Sequence, residues 1–385
     1  MGNLKKKLVE LLIKRRIAHN SKIFIKKISK VNAGNNFKLN PDIATAHKEK
    51  WSKVFNGEIN LTWLTWYIKN SGINSPDFIP ENVFYTTVEA IVNNPRFAVS
   101  YSDKNFYDLT NSRGIFPENI IRNIDGLYFD DNFEPLVIGN DKQLNEILAG
   151  NDSFFVKPAL ESGGGRAVEL FSSINGIFQN ADGKELTLKV LETAYKENFI
   201  IQKPLTQHPF LKQFNATSLN TLRVLTYRSH VTNQINILQV VFRVGANGQF
   251  VDNFRAGGFS IGVNKDGLIN KFAFNRDGIR FETVNEIDLK ESVLQIPLFE
   301  NVQSTAKSIA EKNIHHRMLA LDMTIDSDNN VRCVEVNNKS NEINFHQLNN
   351  GPLFGEFTDE VIDYCMLHKE RLYKEFIVTT IPFVP

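Results

Sequence analysis

Apolar residues change their spacing along this chain, and the change divides it. Over residues 4–30, Leu8, Leu11, Leu12, Ile13, Ile17, Ile23, Phe24, Ile25 and Ile28 are interleaved with ten Lys/Arg and the single acid Glu10. Positions 8, 11, 12 and 15–17 fit the 3.6-residue period and predict a basic amphipathic helix. Residues 41–72, with Trp51, Trp63 and Trp66, read as further helix. The Ser75–Pro80 stretch, with prolines at 76 and 80, reads as a loop, and a helix is expected near 82–93. From Phe116 onward short Phe/Ile/Val runs alternate with Gly, Asn and Asp, which is strand-and-hairpin patterning. Helical spacing returns near 141–149, 184–197, 299–313 and 357–375. Helices and strands mix without regular βαβ alternation, so the expected class is α+β. The expected division is a basic helical segment over 1–55, a mixed region over 56–140, a small lobe over 141–212 and a large lobe over 213–385.

Charge sharpens this picture. The 385 residues carry 44 Lys+Arg and 43 Asp+Glu, a net charge of +1 that points to no nucleic-acid partner. Fourteen of the basic residues and three of the acids fall within residues 1–53, so a basic head precedes an acidic body. Such a head can lie on an anionic membrane surface, dock on a glycosyltransferase, or simply pack on the body with its lysines solvated. On the first two readings residues 1–30 are dispensable for activity. Cys333 and Cys365 are too few and too far apart for a disulfide framework or a cysteine-based zinc site. No apolar run approaches the roughly 18 residues needed to cross a bilayer. The first residues carry neither a myristoylation nor a secretory pattern. The expected location is cytoplasmic, or peripheral at the inner face of the membrane.

Candidate chemistry lies in three stretches. In Phe154-Phe155-Val156-Lys157-Pro158-Ala159-Leu160-Glu161-Ser162-Gly163-Gly164-Gly165-Arg166-Ala167, a strand ending in Lys157 runs into a glycine loop that caps a hairpin. Three glycines let backbone N–H groups approach a polyphosphate, and a lysine just before them can reach its oxygens. The order of residues matches neither a Walker A loop nor a Rossmann fingerprint. Further on, Phe199-Ile200-Ile201-Gln202-Lys203-Pro204-Leu205 is an apolar strand stopped by proline, suited to an adenine edge or to an ordinary sheet edge.

The third stretch pairs Met318–Ile325 with Val331–Asn337 across the turn residues Asp326–Asn330. Leu319, Leu321, Met323 and Ile325 share one face, and Asp322 points to the other. A symmetric hairpin pairs Asp326 with Val331 and so places Asp322 opposite Glu335, with Asn337 and Cys333 on the Glu335 face. Two carboxylates about 5 Å apart at Cβ repel unless a cation lies between them. All-oxygen ligation of this kind suits Mg²⁺. Arg223, Tyr227 and Arg243 alternate on two intervening strands, and Asn253, Arg255, Gly257 and Gly258 belong to a polar loop that has the groups to hold an anionic substrate and is equally compatible with a structural turn.

The order of these features resembles the ATP-grasp superfamily, and most of all its sugar-transfer-associated branch, met in surface-polysaccharide biosynthesis. FVKPALESGGGRAVEL (155–170), FIIQKPLTQHP (199–209), SLNTLRVLTY (218–227), FRVGANGQFVDNFRAGG (242–258) and the pair ALDMTID/CVEVN carry the resemblance, over roughly residues 115–365. It implies an ATP-grasp fold of two α+β lobes holding ATP between them, after a mainly helical N-terminal region. It implies a carboxylate–amine ligase that uses ATP and Mg²⁺ on a sugar-linked carboxylic acid, such as a uronic acid, and an amino compound. On that analogy Lys157, Ser162, Gly163, Gly164 and Gly165 hold phosphates; Gln202, Lys203 and Leu205 meet the adenine; Arg223 reaches phosphates. Asp322, Glu335 and Asn337 carry the metal, and Arg243 or Arg255 steadies the acyl phosphate. Gln202 replaces an acid often found at the hinge, and Arg122 or Lys142 is the candidate for an upstream lysine common in these enzymes. Two other readings stand beside the ligase: a phosphotransferase acting on a sugar hydroxyl, and a nucleotide-sensing partner of glycosyltransferases.

Overall fold

The computed structural model describes residues 2–32, 34, 36–160, 167–245 and 257–374. The glycine loop residues Ser162–Gly165, and Asn253 and Arg255, lie outside the described residues.

The chain opens with three helices, α1 (Gly2–Val31), α2 (Pro41–Ser52) and α3 (Thr62–Ser71). Pro41 starts α2 behind an Asn40 cap, and Gly72 ends α3 in the left-handed region. Short helical turns fill 81–110, among them a π-helical turn over Phe84–Val88.

Two antiparallel sheets follow. The first comprises β1 (Asn119–Ile124), β2 (Leu127–Phe129), β3 (Pro135–Leu136), β4 (Ser153–Pro158), β5 (Glu169–Ile174), β6 (Ile177–Gln179) and β7 (Phe199–Gln202). Its strand order is β3-β2-β1-β7-β4-β5-β6, so the expected boundary at residue 140 falls inside it. β7 is a central strand, because Pro204 stops the chain only after both neighbours have been paired. The helices Asp141–Leu148 and Leu188–Ala194 contribute Leu144, Leu148 and Leu191 to this lobe's core with Phe154 and Phe171.

The second sheet contains β8 (Thr221–Arg228), β9 (Ile235–Val244), β10 (Phe259–Val263), β11 (Ile269–Phe274) and β12 (Arg280–Phe281). After a small hairpin, β13 (Thr283–Val284) with β14 (Ile287–Asp288), come β15 (Met318–Ile325) and β16 (Val331–Asn337). The strand order is β12-β11-β10-β9-β8-β15-β16. Leu319, Leu321, Met323 and Ile325 enter one core with the helix Phe299–Lys312. The opposite face is divided. Leu225, Tyr227, Met318 and Ala320 are covered by the helical region, whereas the half bearing Arg223, Arg243 and Asp322 stays polar. The α+β class and the helical lead-in expected from patterning are both present.

Two expectations change. Helix α1 docks through Ile13, Ile17, Ser21, Phe24 and Ile28, one stripe at helical spacing, while Leu8, Leu11 and Leu12 are exposed. Asn82 donates to Ser21 at 3.0 Å, and Phe24 stacks on Tyr85 with centroids 5.5 Å apart. Residues 13–30 are therefore part of the folded body, and removing residues 1–30 would uncover its core. Tyr227 is also structural: it is buried and donates to Glu360 at 2.9 Å, outside the polar half.

Candidate functional site

Strand pairing builds the site. Asp322 on β15 lies opposite Arg223 on β8 on one side and opposite Glu335 on β16 on the other. The Asp322–Glu335 pairing agrees with expectation, but by another route. At the hairpin tip Ile325, not Asp326, pairs with Val331, and a bulge at Val334 brings the ladder back into step. An extra residue flips the alternation beyond it. Cys333 accordingly joins the core with Val336 instead of sharing the Glu335 face. The backbone reason is long-range: Cys333 N–H donates to Ile115 O at 2.7 Å, which fixes the outer edge of β16.

Arg223 grips Asp322 with Nε–Oδ1 at 2.5 Å and Nη2–Oδ2 at 3.1 Å. Arg243 Nη1 is 3.3 Å from the same Oδ1, and Arg223 Nη2 is 3.5 Å from Glu342 Oε2. The Asn337 amide lies 3.5 Å from Asp322 Oδ2. Glu335 pairs with Lys104, Oε1 to Nζ 2.8 Å. Burial works to raise the Glu335 pKa, but Lys104, Lys157 and Arg223 outweigh it and hold the carboxyl below its usual range.

Lys157 ends β4 in the first lobe, 7% exposed. Burial, and then the neighbouring Lys104 ammonium, lower its pKa to about 7, against an opposing pull from Glu335. Among the described residues its ammonium has no hydrogen-bonded partner. His346, on the helix Ile343–Asn350, is fully buried, and neither ring nitrogen has a hydrogen-bond partner among the described residues. Burial first, then Arg223 and Arg243, keep it neutral.

Lys104 is the residue the sequence reading missed. It stands on a short helical turn between the lobes, 5% exposed, and its backbone N–H donates to Ala159 O at 3.0 Å just past β4. The two candidates for an upstream lysine belong elsewhere. Arg122 is buried against Asp108 at 2.5 Å and Asp131 at 3.2 Å, and Lys142 is exposed beside Glu146. Only a Lys within a polar, helix-breaking stretch (Ser102-Asp103-Lys104-Asn105) marked the position.

The hinge residues line the other lobe. Gln202 donates to Pro117 O at 3.0 Å, a packing role for its side chain. Lys203 N–H is taken by Glu118 O at 2.9 Å and its ammonium by the Glu118 carboxylate at 2.6 Å. Among the described residues the Leu205 backbone N–H makes no hydrogen bond. Gly257 and Gly258 lead into β10, where Ser260 pairs with Arg243; Gly257 has φ +90°. The cations Lys104, Lys157, Arg223 and Arg243 thus gather around Asp322, Glu335 and Glu342, a surplus of positive charge suited to an anion.

The profile of the sugar-transfer associated ATP-grasp family matches residues 86–361. The chain belongs to that family. Lys104, Lys157 and the Asp322–Glu335 pair all fall inside the match. Among solved structures, the chain is similar to purK, an N5-carboxyaminoimidazole ribonucleotide synthetase in its ADP complex (14% identity, TM-score 0.37, 71% of this chain and 52% of that one). It is also similar to the ATP-grasp ligase PsnB with a precursor variant, Mg and ADP (13%, TM-score 0.36, 71% and 61%). A third is D-alanine–D-alanine ligase from Bacillus anthracis (16%, TM-score 0.35, 71% and 68%). The chain thus spans about half to two thirds of the length of these structures. No curated protein matches it. No helix among the described residues is long and apolar enough to cross a membrane.

Proposed function

We propose that this protein is an ATP-dependent carboxylate–amine ligase, acting on a sugar-linked acid such as a uronic acid in surface-polysaccharide biosynthesis. The observation that carries the reading is the cluster of four buried cations around two directly opposed carboxylates, at the meeting of the two lobes. A carboxylate is a poor electrophile. Transfer of the γ-phosphoryl group of ATP to it forms an acyl phosphate and releases ADP. Attack by an amine then forms the C–N bond and releases phosphate.

In this reading Lys157 and Lys104 bind phosphate oxygens together with Ser162, Gly163, Gly164 and Gly165. A bound polyphosphate favours the charged form of Lys157, so binding takes up the proton that burial loosens. Gln202–Leu205 flank the adenine. Arg243, or Arg255 in the loop that holds Asn253, Gly257 and Gly258, steadies the oxyanion, a role commonly worth about 3–4 kcal/mol.

The donor set also fits Mg²⁺. Glu335 is held ionised, Asp322 faces it, and Asn337 offers an amide oxygen after rotation of its terminal amide. When bound, the ion would neutralise phosphate charge.

The exposed Leu8, Leu11 and Leu12 with their flanking lysines form the part of residues 1–30 left for a membrane surface or a glycosyltransferase, at the cytoplasmic face.

The test mixes the purified protein with Mg-ATP, uronic acids and amino acids, and follows ADP, AMP and free phosphate. ADP and phosphate that appear only with an acid–amine pair are expected. ADP without phosphate would make the protein a phosphotransferase, and ATP binding without turnover a sensor. Lys157→Ala should weaken ATP binding or turnover, and Glu335→Gln should raise the Mg²⁺ requirement. Wild-type behaviour of both variants would overturn the nucleotide site.

A further inference from the structure

A cavity of about 930 Å³ adjoins the cluster through Glu342. Gly257 and Glu342 belong to its lining, and Glu342 is the residue that reaches Arg223. From there the cavity runs beneath α1. Its walls are the aromatic faces of Phe24, Trp63, Trp66 and Tyr85 on one side and Phe259 and Phe281 on the other. Lys26, Lys27 and Lys30 of α1, with Arg276 opposite, form the outer rim. A volume of this size suits a sizeable organic ligand.

Glu81 and Trp63 also belong to the lining, 5% and 1% exposed. The aromatic walls suit the C–H faces of a sugar ring. The rim suits phosphate: Lys26 and Lys30 are four apart on one helix face, exposed, and in no ion pair among the described residues. Lys27 lies 3.8 Å from Glu81. The wall is also tightly set. Gly278 has φ +76°, and a Cβ there would come within 2.6 Å of Trp66 Cζ2, so the β11–β12 turn can close on α3 only as glycine.

We propose that the cavity binds a glycosyl diphosphate, with the sugar over the aromatic walls, its acid directed to Arg223 and Arg243, and its diphosphate held at the rim by Lys26 and Lys30. The inference rests on the ligase reading for the direction of the acid. It also gives α1 a role in binding the acceptor, beyond packing. The diphosphate can come from a nucleotide-linked or a lipid-linked sugar, since both present the same anionic group.

Calorimetric titration of the full chain with glucuronic acid, UDP-glucuronic acid and a farnesyl-diphosphate-linked glucuronic acid tests this. At least one diphosphate should bind tenfold or more tighter than free glucuronic acid. The K26Q/K30Q variant should lose that advantage while binding Mg-ATP as wild type does, which also shows that it is folded. Competition by UDP alone identifies a nucleotide-linked substrate; tight binding of the farnesyl compound without UDP competition identifies a lipid-linked one. Equal affinity for all three sugars, or an advantage that survives in K26Q/K30Q, overturns the proposal. Binding is read without turnover, so the two readings fail separately. A diphosphate advantage without ADP release removes the ligase and keeps the cavity. ADP and phosphate release with free acid and amine, without a diphosphate advantage, does the reverse.

Discussion

At the residue scale the protonation of Lys157 is the most exposed part of the argument. Its pKa near 7 means that the folded chain gives up a proton the unfolded chain keeps until about pH 10.4. Between those values the unfolded state binds more protons, so stability rises with pH as the cost of a buried charge is relieved. Lys157→Met should flatten that rise in chemical-denaturation curves. Phosphate binding runs the other way: ATP affinity should fall as pH climbs through about 7. Lys104→Met should move that midpoint upward, because it removes a repelling ammonium and leaves the attraction of Glu335 uncompensated. A midpoint that stayed in place, measured by calorimetry across pH 6–9, would mean that the two lysines do not share one field. Sequence spacing found Lys157 through its glycine loop. Lys104 was invisible because its ion pair joins distant parts of the chain, with no local pattern to mark it.

Among the elements, the β15–β16 hairpin shows what alternation reads well and where it stops. Period two placed four apolar side chains of β15 in the core and Asp322 outside. It could not foresee the bulge at Val334, which depends on a hydrogen bond from Cys333 to a segment more than two hundred residues upstream. The consequence is testable. Burial pushes the Cys333 thiol well above its ordinary pKa, and Cys365 is buried too, at about 12. Native protein should therefore resist a thiol reagent such as DTNB and release two equivalents only in denaturant. Fast reaction of Cys333 in the native state would return it to the acid-bearing face. Helix α1 divides in the same manner. Ile28→Ala should cost about 2–5 kcal/mol, as for a filled core position. L8Q/L11Q/L12Q should change stability by no more than about 0.5 kcal/mol. The period was legible at positions 8, 11, 12 and 15–17, but it does not say which apolar side chains dock. Positions 8, 11 and 12 carry apolar side chains as good as any, and only the surface offered by Asn82 and Tyr85 selects residues 13–28.

For the whole molecule, the proposed site would make nucleotide binding a bond between lobes. Lys157 and the backbone at Ala159 come from the first sheet, Asp322, Glu335 and Arg223 from the second, and Lys104 touches both through Ala159 and Glu335. A ligand gripping all of these must resist separation of the sheets, and saturation at a hundred times Kd adds about 2.7 kcal/mol to stability. Mg-ATP should therefore raise the melting temperature and slow amide exchange in β4 and in β15–β16 together. ATP without Mg²⁺ should do less, since Asp322 and Glu335 then have no metal ion to join them to the phosphates. Glu335→Gln should remove most of the difference between the two conditions, whereas Lys157→Met should weaken both. Protection confined to the first sheet, unchanged by Mg²⁺, would place the nucleotide in one lobe alone and detach the carboxylate pair from it.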